Sequence, residues 1–293
     1  MDGIHLTERE KRYIINESRG DIFINGVHYF FKENYIDANE IVFEKFAMLV
    51  GIKCAHYEIV KIGNLMYYFS RDIGQRPLRS EKDGTYFSYL DNKYLTLDDI
   101  MQSTGFLLLF DITNRDRHIT DIWTALASVL PDSVSEIIYK IIRIYLFDIF
   151  ILMDDRHGNN LGLNFNNGMF DDVYILDNEV ALASTHPNYL TVSLDKEQEC
   201  YPGPLANGLD KLDNWIISKN IAELEHFLRV SSPEFIDLFM EMFNILTPDA
   251  LQRIYDEVES ELETEFFFKE ESLMFYSQNY EAISQIVYKR KLR

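Results

Sequence analysis

The chain has 293 residues, 47% of them apolar and 14% aromatic, so it can bury a sizeable core and disorder is not the default reading. Against 48 Asp and Glu stand only 28 Lys and Arg, a net charge of −20 that argues against direct nucleic-acid binding and against an anionic membrane as partner. Its two cysteines, Cys54 and Cys200, have no C-x-x-C or Cys/His spacing, which speaks against a disulfide framework or structural zinc and fits a reducing cytoplasm.

The first residues carry no apolar stretch of signal-peptide length. RYIINES (12–18), then Ile22–Ile24, then VHYFFK (27–32) read as three short antiparallel strands, separated by Ser18-Arg19-Gly20-Asp21 and by Asn25-Gly26. Asn-Gly is a strong two-residue hairpin signal, because both residues tolerate positive φ. Residues 38–50 have helical spacing, with Val42, Phe46, Leu49 and Val50 on one apolar side and Gly51 as a stop. Strands over Cys54–Val60 and Leu65–Ser70 follow, joined through Ile62-Gly63-Asn64. Residues 1–72 thus form a small lobe of order β-β-β-α-β-β.

Gly74-Gln75-Arg76-Pro77 and Lys82-Asp83-Gly84 mark a polar connection into a larger lobe, residues 73–293. Helical periodicity covers 97–110, 119–130, 133–153, 208–229, 233–245, 248–262 and 270–288. The 133–153 helix opens on Ser133-x-x-Glu136, a capping-box pattern. Lys140, Arg143 and Asp148 interrupt its apolar run, so it reads as a buried helix rather than a membrane span. Leu161–Phe165 and Val173–Leu176 flank Asn166-Asn167-Gly168 as a β-hairpin. The expected fold class is α+β and bilobal: a small antiparallel sheet with one helix, then a mainly helical lobe.

The chemistry concentrates in MDDRHGNNLGLNFNNGMFDDVYILDNEVAL, from Met153 to Leu182. Polar residues gather where an apolar helix ends and a hairpin begins, a loop position held by a rigid scaffold. With the turn at Asn167-Gly168 the strands run back antiparallel, so Asn160 and Asp177 come close enough to ligate an ion together. Magnesium takes oxygen ligands and few carboxylates, the rest coming from water and substrate phosphates. Asp155 stands at the mouth of the same cleft, placed to orient an attacking hydroxyl or accept its proton.

This segment resembles the catalytic and metal-binding region of the HipA-like serine/threonine kinases, which carry D-R-H-x-x-N followed by an F-D-N-type metal motif. It is similar, more distantly, to the phosphatidylinositol kinases. The resemblance implies a protein-kinase-like fold, ATP and Mg²⁺ as cofactors, Asp155 as catalytic aspartate, and Asn160 and Asp177 as metal ligands. Leu176 stands where phenylalanine is common. A kinase also needs a strand lysine for the α- and β-phosphates and a helix glutamate to hold it. Lys32 ends the strand VHYFFK, and of Glu40 and Glu44 the pattern favours Glu40, which opens the helix. Ser18, Arg19 and Gly20 are the candidate phosphate loop, with Ser18 as a position for autophosphorylation. Phe69 and Ser70, in Tyr68–Asp72, are the candidate adenine-binding hinge.

By the same resemblance the substrate is a protein carrying a Ser or Thr acceptor. A cognate antitoxin protein is an implied partner, since such kinases often act as toxins of toxin–antitoxin pairs. A lipid or small-molecule kinase is the alternative within the same chemistry, disfavoured by the charge and the absence of a polybasic face. A nucleotide-binding pseudokinase acting as an interaction module is the alternative outside it.

Overall fold

A computed structural model describes residues 4–33, 39–71, 94–103, 117–153, 156, 158–166, 169–178, 181–183, 211–213, 228–229, 231–266 and 269–291. The first element corrects the sequence reading. Glu8–Glu17 is a helix (α1), not a strand. Tyr13, Ile14 and Ile15 favour a strand locally, but Thr7-x-x-Glu10 forms a capping box. Thr7 Oγ1 accepts the Glu10 N–H at 3.3 Å, and Glu10 takes the Thr7 N–H at 2.6 Å. Ile14 is then buried with Phe31 and Phe69 in a small core.

Strands β1 (Arg19–Ile24) and β2 (Val27–Glu33) form the hairpin expected at Asn25-Gly26, whose φ angles are 51° and 81°. The next elements are α2 (Asn39–Met48), β3 (Lys53–Cys54), β4 (Tyr57–Ile62) and β5 (Leu65–Arg71). The small-lobe sheet has the order β1-β2-β5-β4, with every neighbour antiparallel. Alternation along the strands sends Phe31, Tyr67 and Phe69 into the small core. Tyr68 instead joins the large core, which α2 enters with Val42, Phe43 and Phe46.

The larger lobe contributes β6 (Tyr94–Thr96), α3 (Leu97–Ser103), β7 (Arg117–His118), α4 (Ile119–Val129) and α5 (Val134–Ile151). After them come β8 (Leu161–Asn166), β9 (Met169–Ile175), β10 (Lys211–Asp213), α6 (Pro233–Ile245), α7 (Pro248–Leu262) and α8 (Lys269–Lys291). Within the expected helix 208–229, residues 211–213 pair antiparallel with β7, a tertiary contact overriding local propensity. Ser133 caps α5 by position but makes no side-chain cap hydrogen bond, contrary to the expected box. Residues 104–110 of the first expected helix, the lobe boundary at 72/73 and Cys200 lie outside the described residues.

From Ile144 to Ile151 every α5 side chain is buried, so the helix runs through the core instead of lying along its surface. Phe147 meets Phe46 of α2, and Phe150 stacks on Phe239 of α6 at 5.3 Å. Asn279 of α8 donates to the Ile149 and Phe150 carbonyls at 3.0 and 2.9 Å, two of the acceptors left open at a helix end. A second sheet, β3-β9-β8-β6, ties the lobes together. Its β3 pairs in parallel with β9, and Ala55 N–H reaches the Ile175 carbonyl at 2.8 Å. Among the described residues no helix is long and apolar enough to cross a membrane.

Candidate active site

The first turn of α2 lies beneath the end of β2, and Lys32 reaches down to it. Its Nζ lies 2.5 Å from Glu40 Oε1 and 3.1 Å from Asp177 Oδ1, a residue 145 positions away in sequence. The Glu40 side chain is fully buried, while that of Asp177 remains 38% exposed towards the cleft. Burial pushes the Glu40 carboxyl up to about 8; Lys32 opposes the rise, Asp177 adds to it, and the Asn178 N–H opposes it. That N–H donates to Glu40 Oε2 at 2.7 Å, so one glutamate holds both the lysine and the backbone just after Asp177.

Asp177 itself has φ 56°, a left-handed conformation that side chains other than glycine and Asn/Asp avoid. Its neighbours hold it there. Arg156, fully buried, donates through Nη1 to the carbonyls of Leu176 (2.8 Å) and Asp177 (3.2 Å), and through Nη2 to Asn178 Oδ1 (2.8 Å). Behind these bonds its Nε and Nη2 reach the buried Asp148 carboxylate of α5, both at 3.1 Å. Burial alone would lower the guanidinium pKa, but Asp148 more than offsets this and holds it above its ordinary value. From the small lobe, the Tyr57 hydroxyl accepts the Asp177 N–H at 3.2 Å.

Asn160 closes a 3-10 turn, Gly158–Asn160, and is nearly buried. The first hairpin pair is Leu161 with Ile175, and Leu176 N–H donates to the Asn160 carbonyl at 2.9 Å. Asn160 and Asp177 therefore sit at the same end of the hairpin. Both line a cleft of about 440 Å³ that opens between the sheet of the small lobe and this hairpin. That volume is in the range of small-molecule pockets. The described lining carries three cations, Arg19, Lys32 and Arg71, against the carboxylates of Asp21 and Asp177. In a chain of net charge −20 this is a local reversal suited to an anionic ligand.

Of the other expected site residues, Arg19, Gly20 and Ser70 line this cleft. Ser18 does not; it caps α1, and Arg19, Gly20 and Asp21 are not a loop but the first residues of β1, paired with Lys32, Phe31 and Phe30 of β2. Phe69 points into the small-lobe core, and its neighbours Tyr68 and Ser70 face the cleft. Asp155, like Asp154 and His157, lies outside the described residues. Among the described residues no three His, Cys, Asp or Glu cluster to hold a metal. Asn160 and Asp177 are a pair of hard oxygen donors, and such a pair fits an ion that takes further oxygens from ligand phosphates and water.

Three residues of this arrangement were not singled out from sequence: Asp148, Arg156 as a scaffold, and Tyr57. The signal for the first pair was present. A carboxylate inside an all-apolar helical stretch needs a buried partner, and the nearby Arg156 supplies it. Tyr57 left no such trace, since its contact with Asp177 depends on how the two lobes meet.

A small sheet with a lysine–glutamate pair, set over a helical lobe carrying a polar hairpin, defines a protein-kinase-like fold. The solved structures it resembles narrow this to the fold of HipA-like kinases. The chain is similar to the proinflammatory kinase CtkA of Helicobacter pylori, with a TM-score of 0.60 and 13% identity over 94% of this chain and 96% of that one. It is also similar to HipA of Shewanella oneidensis MR-1, whose structure is a toxin–antitoxin complex with HipB and operator DNA. There the TM-score is 0.52 and the identity 13%, covering 92% of this chain and 63% of HipA. No family model and no curated protein matches the sequence.

Proposed function

We propose that the chain is an ATP- and Mg²⁺-dependent serine/threonine protein kinase of HipA-like type. The observation that carries this reading is Lys32, bridging Glu40 and Asp177 at the floor of a locally cationic cleft. A strand lysine held by a helix glutamate is how kinases grip the α- and β-phosphates. Asn160 and Asp177 are the residues that would hold Mg²⁺, which when bound offsets charge on the transferring phosphoryl group. Arg19, Gly20 and Ser70 flank the nucleotide, and Asp155 orients the acceptor hydroxyl, a role resting on its five-residue spacing to Asn160. The HipA neighbour is in complex with HipB, and that supports a cognate antitoxin protein as partner; action in the cytoplasm fits the absence of Cys pairs spaced for a disulfide framework.

The test is incubation with γ-labelled ATP and Mg²⁺, alone and with cell lysate, beside Asp155→Ala and Asp177→Ala. Label on serine or threonine with the wild type alone is the expected result. Asp177→Ala should lose metal-dependent nucleotide affinity, and Asp155→Ala should bind nucleotide without transferring phosphate. Nucleotide binding by the wild type with no transfer to any protein overturns the protein-kinase reading.

A further inference from the structure

The two glutamates of α2 lie one turn apart and both reach the backbone around Asp177 by different routes. Glu40 takes the Asn178 N–H directly at 2.7 Å. Glu44 Oε2 takes the Tyr57 N–H at 3.2 Å, and its Oε1 meets His56 Nδ1 at 2.7 Å. Tyr57 then accepts the Asp177 N–H through its hydroxyl oxygen at 3.2 Å, its ring edge-on to Tyr68 at 6.0 Å. The Asp177 peptides are thus pinned from both lobes, the carbonyl by Arg156 and the N–H by Tyr57. Asp tolerates the left-handed region better than most side chains, and at φ 56° these bonds hold Asp177 there. Tyr57 also lines the cleft, so the small lobe meets the proposed metal ligand at this hydroxyl.

We infer that Tyr57, seated by Glu44, is a positioning residue for the metal-ligating carboxylate of Asp177. The inference rests on the kinase reading above and gives β4 a share in metal binding. Tyr57→Phe keeps the ring and its packing on Tyr68 but deprives the Asp177 N–H of its acceptor. The experiment titrates Mg²⁺ into wild type and Tyr57→Phe at fixed ATP, repeats ATP binding in EDTA, and records the melting temperature of each. For Tyr57→Phe the expected result is a Mg²⁺ midpoint raised about tenfold, the worth of one hydrogen bond to a constrained backbone. Affinity in EDTA should fall by much less than the Mg²⁺ midpoint moves, and the melting temperature by no more than the few degrees that one lost hydrogen bond costs. Glu44→Ala should move the Mg²⁺ midpoint in the same direction. An unchanged Mg²⁺ midpoint overturns the inference, as does an equal loss in EDTA, which would mark Tyr57 as structural only. A wild type that binds no ATP at any Mg²⁺ concentration brings down the kinase reading and this inference with it.

Discussion

Arg156 and Asp148 form a fully buried ion pair, 3.1 Å apart, on which the loop of the proposed metal ligand hangs. Removing one member of such a pair strands a charge in the core, at a cost of about 3–5 kcal/mol. Arg156→Met should therefore lower the unfolding free energy by that order in denaturant titration, and release the Leu176 and Asp177 carbonyls with it. A loss under about 1 kcal/mol would contradict the role given to Arg156.

Glu40 makes stability depend on pH in the opposite sense to most carboxylates. Its folded-state pKa, about 8, lies above the ordinary 4.5, so the fold favours the protonated form. Below 4.5 both folded and unfolded chains hold the proton and the fold carries no penalty. As pH rises from there towards 8 the unfolded chain releases its proton first, and stability falls by about a few kcal/mol before levelling off. Melting temperatures of wild type and Glu40→Gln across pH 4 to 9 should diverge in that window, with the wild type losing more.

Helix α2 is held by packing more than by charge. Lys45 binds Glu257 and Glu261 of α7 at 2.6 and 2.9 Å, but both partners are more than half exposed. Such pairs contribute about 1 kcal/mol or less. Phe46, fully buried against Phe147 and Tyr276, should cost about 3–5 kcal/mol when cut to alanine. Denaturant titrations of Lys45→Ala and Phe46→Ala should show that order; the reverse order would mean that the surface charges set the position of Glu40.

Gly158 makes the turn before Asn160 possible by close approach. A Cβ there would lie 2.1 Å from Asp98 Oδ1. Gly158→Ala should destabilise the protein by about 1–3 kcal/mol, and adding Asp98→Ala should recover a good part of that loss. A double-mutant cycle on unfolding free energies measures the coupling; strict additivity would show that the contact does not matter.

Much of the site was legible because its parts are local. D-R-H-x-x-N, the hairpin and the D-N pair lie within one segment, and Lys32 and Glu40 lie only eight residues apart. Asn25-Gly26 placed the first hairpin correctly for the same reason. Failures came where a distant or competing signal decided. Tyr13-Ile14-Ile15 suggests a strand, but the Thr7-x-x-Glu10 box, which the strand reading left out of account, starts a helix. Strand β3 is two residues long and exists because β9 lies beside it, and β10 depends on β7 in the same way. Phe69 follows the strand's alternation into the core, a pattern that Tyr68 and Ser70 on either side could have revealed.

If Lys32, Glu40 and Asp177 assemble a metal-dependent nucleotide site, as proposed, calorimetric titration of ATP reads it out. Wild type and Asp177→Asn, which keeps the shape and removes the charge, are compared with Mg²⁺ and with EDTA. Wild type should bind ATP more tightly with Mg²⁺ by about tenfold or more, and Asp177→Asn should lose that gain while remaining folded. Equal ATP affinity of the wild type in Mg²⁺ and in EDTA, or a full Mg²⁺ gain in Asp177→Asn, would contradict the proposal.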